Sequence, residues 1–317
     1  MIHKNDEYIH EFKKHKEWVE SFNINFISKK NKVYGSVDID YLFNKNQIEA
    51  DWLIIFNNKK YENTSFIDFN GKLNNKKISN GKFEYNISSP LEKFKLVFKN
   101  EFITANLYIQ GVFPIYDFPE NIIDDVINDQ QIISNKTWNK YQQRCKITGD
   151  ILVKSGEDKG KKANFDCLGQ REHLWGINKL SNISIQSRVT VQFRDMSMTL
   201  TYNEKDTIPE SNGFISKKSG NIPIINVECE SLTIDENSGS LISSEFSYMD
   251  AQDDVDLLVA KSFYSLPMPV PKSKKNKYLR YRNFSEFTVI GTNKKGYGVE
   301  DHYFSTEMLK LFQNSDQ

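Results

Sequence analysis

The sequence lacks the features that mark several large classes of protein. Its three cysteines are far apart and in no C-x-x-C spacing, so neither a disulfide framework nor a zinc site is indicated. Basic and acidic residues both number 42, which leaves no net charge to attract nucleic acid or anionic lipid. No stretch approaches the roughly 18 apolar residues of a membrane span, and no secretory leader pattern opens the chain. We therefore expect a cytoplasmic protein without a nucleic-acid partner or stable membrane insertion.

Motifs for nucleotide-dependent and serine-hydrolase chemistry are also missing. The sequence contains no G-x-x-x-x-G-K-[ST], no G-x-G-x-x-G after a strand and no G-x-S-x-G. Histidines and acidic residues do not recur at the short spacings typical of metal ligands. We expect neither a metal nor any other cofactor.

What the sequence does contain favours β-strands. It has 22 Phe and 15 Tyr, and β-branched residues are common. From residue 23 onward, apolar and polar residues alternate with a period of two, and pairs such as Asn80-Gly81 mark hairpin turns. Three short segments show helical spacing instead: residues 6–21, which would lie across the body as a lid, and residues 122–127 and 307–312.

A proline-containing segment divides the strand pattern into two parts. Pro114 and Pro119 cannot donate to a sheet ladder, so residues of about 115–140 are predicted to connect two domains. A chain of 317 residues is also longer than one core usually grows. The predicted fold is all-β, with an N-terminal β-barrel over residues 1–120, a C-terminal β-barrel over residues 121–317 and a few short helices.

The chemistry-bearing side chains concentrate in residues 166–176, with sequence DCLGQREHLWG. The glycines indicate positions where the backbone bends or is closely approached. On a strand, Gln170 and Glu172 would point to one side, and Arg171, His173 and Trp175 to the other. We expect this strand to be largely buried between the two domains. A second glycine-flanked polar cluster, residues 296–302, includes Tyr297 and Glu300.

The segment GQREHLWG, preceded by the glutamine-containing strand YQQRCKITG at residues 141–149, resembles the two-domain lipocalin-like family of AttH-type proteins and carotenoid 1,2-hydratases. Residues 212–215 and 296–300 also look like later landmarks of that family. The resemblance implies two consecutive lipocalin-like antiparallel barrels and apolar ligands, often isoprenoid or polyketide in origin. Reactions associated with the family are water addition to double bonds, cyclisation and pericyclic ring closure.

Two functions remain open for this site. In the first, the protein is a cofactor-free hydratase, cyclase or isomerase for a hydrophobic substrate. Glu172 and His173 would then be an acid/base pair, because a carboxylate in hydrogen-bond reach orients an imidazole. Arg171, Trp175, Tyr297 and Glu300 would bind the substrate. In the second, the protein binds or carries an apolar small molecule without changing it, and the polar residues form a structural network beside Trp175.

Overall fold

The computed structural model describes residues 2–12, 18–69, 76–118, 138–177, 185–205, 208–235, 240–268 and 278–305. Within them the helical elements are two short 3₁₀ turns, Lys4–Glu7 and Phe43–Lys45, and almost everything else is β-strand. The all-β prediction is therefore confirmed. No helix in these ranges is both long and apolar enough to cross a membrane.

The chain separates into two compact units, Met1–Lys179 and Leu180–Gln317. The first contains eleven strands: β1 Trp18–Ser28, β2 Val33–Leu42, β3 Gln47–Phe56, β4 Lys59–Asp68, β5 Lys77–Ser79, β6 Phe83–Ser89, β7 Lys93–Lys99, β8 Ile103–Gly111, β9 Tyr116–Asp117, β10 Trp138–Val153 and β11 Lys162–Ile177. They form one antiparallel sheet in the order β4-β3-β2-β1-β11-β10-β8-β7-β6-β5, and β9 pairs with β10. This barrel-like sheet surrounds a core of aromatic and branched aliphatic side chains.

The second unit is a closed barrel of eight antiparallel strands in chain order. Its strands are β12 Ile185–Gln192, β13 Met196–Lys205, β14 Ile208–Lys217, β15 Gly220–Ile234, β16 Leu241–Asp250, β17 Val255–Met268, β18 Tyr278–Val289 and β19 Lys294–Ser305. β19 closes the barrel by pairing with β12. Inward-facing Val, Leu, Ile, Met and Phe side chains make up its core.

The predicted division near residues 115–140 differs from the one observed. The two long strands β10 and β11, which the sequence assigned to the C-terminal barrel, complete the first sheet: β10 pairs with β8, and β11 pairs with β1. The prolines interrupt the strand pattern as expected, but an interruption does not reveal which sheet the chain joins afterwards. Long-range pairing decides that, and it moves the division to residues 179–180.

The predicted helix over residues 6–21 is also wrong where the structure describes it. Only Lys4–Glu7 forms a 3₁₀ turn, and an extended strand begins at Trp18. The apolar spacing that suggested a helix arises because Tyr8 and Ile9 pack on the core of the first unit, while Val19 belongs to a strand. The two other predicted helices, at residues 122–127 and 307–312, lie outside the described residues.

Candidate functional site

Strand β11 crosses the first sheet between β1 and β10, and its side chains alternate between two faces. Arg171, His173 and Trp175 lie on the face that continues the core, whereas Gln170 and Glu172 lie on the opposite one. All five side chains are buried. The predicted division of this strand into two faces is confirmed.

The glycines bordering the segment have the predicted roles. A Cβ atom at Gly169 would come within 2.4 Å of the backbone oxygen of Asn25 on β1, so only glycine allows the two strands this close. Gly176 has a φ of 125°, a backbone conformation that residues with a Cβ atom rarely adopt. Gly169 thus permits the close pairing of β11 with β1 at one end of the polar stretch, and Gly176 permits a positive φ at the other end.

The core-facing imidazole of His173 is held by a glutamate from the neighbouring strand. Its Nε2 lies 2.8 Å from Oε1 of Glu20, and both side chains are fully buried. The same carboxylate oxygen is 3.0 Å from Nδ1 of His10, which belongs to the N-terminal segment and is partly exposed. The result is a chain of three ionisable groups, His10–Glu20–His173, that runs from the partly exposed edge of the unit to its interior.

The ionised carboxylate of Glu20 determines which ring nitrogen of His173 carries a proton. Burial by itself raises the pKa of Glu20, but hydrogen bonds from His10 and His173 outweigh that effect, and the net pKa lies below the usual value. An ionised carboxylate only accepts hydrogen bonds, so Nε2 of His173 carries the proton directed at Glu20. In the neutral ring Nδ1 then has a free lone pair, and this buried atom has no hydrogen-bond partner among the described residues.

This pKa predicts how stability depends on pH. A depressed folded-state pKa contributes stability that is present above the unfolded pKa, near 4.5, and is lost as the pH falls through the lower folded value. The stability advantage of the wild type over Glu20→Gln should thus shrink as the pH falls below 4.5. Urea unfolding from pH 7 to 3 measures it, with the exposed Glu101→Gln as control. An advantage that persists undiminished down to pH 3 would contradict the assigned ionisation.

Aromatic rings enclose the imidazole of His173. Phe22, its partner in register on β1, stacks on it with ring centroids 4.0 Å apart. Tyr141 meets it edge-on from β10 at 5.5 Å, and Trp175 is tilted against it at 4.9 Å. Trp175 also stacks on His10 at 4.1 Å. Nδ1 of His173 therefore lies in apolar surroundings, where a hydrogen bond is stronger than in water.

Arg171 belongs to a second buried cluster on the same face. Its Nη1 lies 2.9 Å from Oε1 of Glu7, and it also donates to the hydroxyl of Tyr141 at 3.2 Å. Nε donates to Oε1 of Gln143 at 2.9 Å, and the guanidinium lies over the ring of Phe94. Burial raises the pKa of the Tyr141 hydroxyl well above its usual range, although Arg171 acts in the opposite direction. Arg171 is thus satisfied mainly by protein groups and anchors the N-terminal segment.

Glu172 has different surroundings from those predicted. It accepts a hydrogen bond from Nε2 of Gln142 and lies 3.8 Å from Nζ of Lys140, and Nε2 of Gln170 donates to Oε1 of the same Gln142 at 2.6 Å. Glu172 and His173 are consecutive on a strand, so their side chains project to opposite faces. The predicted pairing of Glu172 with His173 is therefore wrong, and Glu20 takes that place.

The remaining predicted residues, Tyr297 and Glu300, fall in the second unit on β19, whereas Arg171 and Trp175 fall in the first. Glu300 is fully buried and accepts hydrogen bonds from Ser244 and Ser285. Tyr297 occupies the other face of β19 and is partly exposed. Burial, and to a smaller extent Glu286, raises the pKa of its hydroxyl. The sequence predicts substrate binding for both residues, but they lie on opposite faces of β19.

Sequence reasoning missed His10, Glu20 and Glu7. A signal for Glu20 exists, because it continues the alternation Phe22, Ile24, Phe26 by one further inward position. Assigning residues 6–21 to a helix concealed that parity. Glu7 and His10 had no such signal, because no regular strand or helix orients the segment that carries them.

The cluster also includes a possible set of metal ligands. Among the described residues, ligand atoms of His10, Glu20 and His173 lie within 4.8 Å of one another. Two imidazoles and a carboxylate suit zinc or non-haem iron. The two N···O separations of 2.8 and 3.0 Å are, however, hydrogen-bond distances, below the roughly 3.3 Å between ligands of a tetrahedral zinc. Within the described ranges, Nδ1 of His173 also lacks the outer hydrogen bond that zinc-bound imidazoles usually make. We interpret the cluster as hydrogen-bonded.

The fold and the buried cluster define a two-unit, lipocalin-like β protein. The chain belongs to the family described as Domain of unknown function (DUF7064), whose model matches residues 3–302. Among curated proteins, none matches the sequence.

Solved structures resemble the fold over nearly the whole chain. An AttH candidate from Nitrosomonas europaea is 9% identical with a TM-score of 0.66, covering 90% of this chain and 92% of its own. CghA in complex with Sch210972 is 10% identical with a TM-score of 0.65, and the match covers 92% of this chain and 89% of the CghA chain. Kievitone hydratase from Nectria haematococca is 10% identical with a TM-score of 0.58, and the match covers 90% of this chain and 89% of the hydratase chain. The resemblance to AttH-type proteins noted in the sequence is confirmed at the level of the fold.

Proposed function

We propose that this protein is an enzyme of the hydratase or cyclase type that acts on an unsaturated hydrophobic small molecule in its first unit. The observation that carries the proposal is the buried imidazole of His173, anchored by Glu20 and surrounded by aromatic rings, whose Nδ1 has no hydrogen-bond partner in the described part of the chain. A structural histidine buried this deeply normally satisfies both ring nitrogens. The fold shared with kievitone hydratase and CghA agrees with such chemistry.

The geometry suggests the roles of the groups. Protonated His173 would transfer the proton on Nδ1 to one carbon of a double bond, and ionised Glu20 would stabilise the imidazolium beforehand, as the acid of a catalytic triad does. In a hydration, water adds to the other carbon and loses a proton to the neutral imidazole, so the protein is regenerated. In a cyclisation, a second double bond of the substrate attacks instead, and the proton lost afterwards returns to the imidazole.

His10 would connect this centre to solvent. It shares the Glu20 carboxylate with His173, and about a fifth of its side chain is exposed. Proton exchange with water can therefore reach the buried cluster through His10, while Trp175 and Phe22 keep the reacting face apolar. Cationic intermediates would also gain from the faces of these rings.

The test begins with the full-length protein as purified. Organic extraction and mass spectrometry identify any bound apolar compound, and incubation with prenylated phenols and linear polyenes follows. Hydration adds the mass of one water, and cyclisation changes retention without changing mass. Turnover should fall on the order of 10²-fold or more in His173→Gln and Glu20→Gln. Metal analysis of the same preparation tests the expectation of no metal.

Glu172→Gln is the matched control, because it removes a neighbouring carboxylate on the opposite face of β11. Its turnover per folded molecule should equal that of the wild type. Loss of turnover in Glu172→Gln with full turnover in Glu20→Gln would move the chemistry to the other face. Stoichiometric binding of an apolar compound that no incubation changes would instead make the protein a carrier.

A further inference from the structure

The interior of the second unit contains an amide side chain that no group in the described ranges satisfies. Asn283 on β18 is fully buried, and both its Oδ1 and its Nδ2 lack hydrogen-bond partners among the described residues. It shares the inner face with Tyr281 and Phe287, which belong to the core clusters of this barrel. A buried amide without partners loses its hydration and gains nothing in return, which is rare in folded proteins.

A second unsatisfied group lies beside it. Ser265 on β17 is the partner of Asn283 in strand register, and its buried Oγ also has no partner in the described part of the chain. Partners in register on one face have Cβ atoms about 5 Å apart. One hydroxyl and one carboxamide thus present a donor and acceptors to the same small volume.

The neighbouring polar groups do not account for these atoms, because they satisfy one another. Glu300, the register partner of Asn283 on β19, accepts from Ser244 and Ser285 and lies 3.2 Å from Nε2 of His302. Nδ1 of His302 lies 2.9 Å from Oγ of Ser187. The network closes on itself and leaves Asn283 and Ser265 outside it.

We propose that the barrel of the second unit binds a neutral small molecule through a cis-amide group, such as a lactam. Such a group presents one N–H and one C=O side by side, complementary to the C=O and N–H of Asn283, and Ser265 can bond the same carbonyl. The carboxyl group of Glu300 beside the site disfavours an anion. Eight-stranded barrels can hold one small ligand in their interior, and Phe246 and Phe304 near His302 provide apolar surface beside the site.

The probe for this site is 2-quinolinone, a flat apolar lactam, and its control is N-methyl-2-quinolinone, which lacks the donor. Binding to the full-length protein is measured by calorimetry. We expect the wild type to bind 2-quinolinone at least about tenfold more tightly than the N-methyl compound, because the latter leaves the Asn283 carbonyl unpaired. Asn283→Leu should lower the affinity for 2-quinolinone by at least the same factor, and Ser265→Ala should lower that affinity several-fold.

Two control variants separate this site from others. Ser247→Ala removes a hydroxyl from the outer face of β16 and should leave lactam affinity unchanged. His173→Gln alters the centre proposed in the first unit and should also leave it unchanged, so this inference and the proposed function can fail independently. Lactam affinity lost in His173→Gln but kept in Asn283→Leu would overturn the inference.

The remaining outcome concerns water. If the wild type binds neither compound and Asn283→Leu melts at a higher temperature, the unsatisfied atoms hold at most a buried water and the inference is wrong. Should Asn283→Leu not fold, the comparison of the two quinolinones and the Ser265→Ala variant decide the question. Equal affinity for both compounds in every variant would likewise reject the site.

Discussion

Replacing Arg171 with methionine lowers the free energy of unfolding by about 3–5 kcal/mol, because the carboxylate of Glu7 is then buried without its cation. Both side chains are almost completely enclosed, and their closest atoms are 2.9 Å apart. Glu7 also accepts a hydrogen bond from the backbone N–H of Leu91. Through Glu7, the N-terminal segment is therefore joined both to Arg171 and to Leu91. Urea unfolding followed by circular dichroism measures the loss.

The double variant Glu7→Gln/Arg171→Met distinguishes an unpaired charge from lost packing. Removing both charges should recover much of the stability lost in the single variant, because the desolvated carboxylate is gone. The surface control is Lys146→Met, which breaks an exposed ion pair with Asp166 and should leave stability unchanged. A single variant as stable as the wild type would mean that Glu7 reaches water when Arg171 is absent, so that the segment does not hold it in the interior.

Replacing Trp175 with alanine should lower the free energy of unfolding by about 3–5 kcal/mol, as large truncations in a core do. Its side chain is buried, and its ring stacks on His10 at 4.1 Å. Trp175→Phe should recover most of the loss, since a ring remains to pack on His10. Thermal melts measure both variants, with Phe66→Ala as the exposed control.

This variant also tests whether the N-terminal segment depends on the strand. If His10 is held by Trp175 and Glu20 together, Trp175→Ala should make the backbone amide of His10, which faces Glu20 at 3.3 Å, exchange faster with solvent. Hydrogen exchange of residues 2–12 measures this directly. A melt within a degree of the wild type and unchanged exchange would show that the indole contributes little to either.

The alternation of residues along the sequence was sufficient to predict part of this structure. Alternation along residues 170–175 predicted which side chains share a face, because successive residues of any strand point in opposite directions. The same reasoning predicted an all-β chain and the special positions Gly169 and Gly176. The strand content and the two faces depend on covalent geometry and near neighbours, which the sequence contains in full.

The composition of the site did not follow from local pattern. Glu20 and His173 are 153 positions apart, and only the pairing of β1 with β11 brings them to 2.8 Å. Glu172, adjacent to His173 in sequence, is separated from it by the strand itself. Adjacency along the chain was therefore a poor guide to chemical partnership at this site.

By itself, the sequence determined the strand content, the faces of β11 and the identity of its polar residues, because these arise from the period of an extended backbone. Only the tertiary structure decided that β10 and β11 belong to the first sheet, that Glu20 rather than Glu172 orients His173, and that Asn283 is enclosed without a hydrogen-bond partner among the described residues. Those outcomes depend on which distant strands pair and in which register. That choice minimises the free energy of the whole chain, and no local window of the sequence contains it.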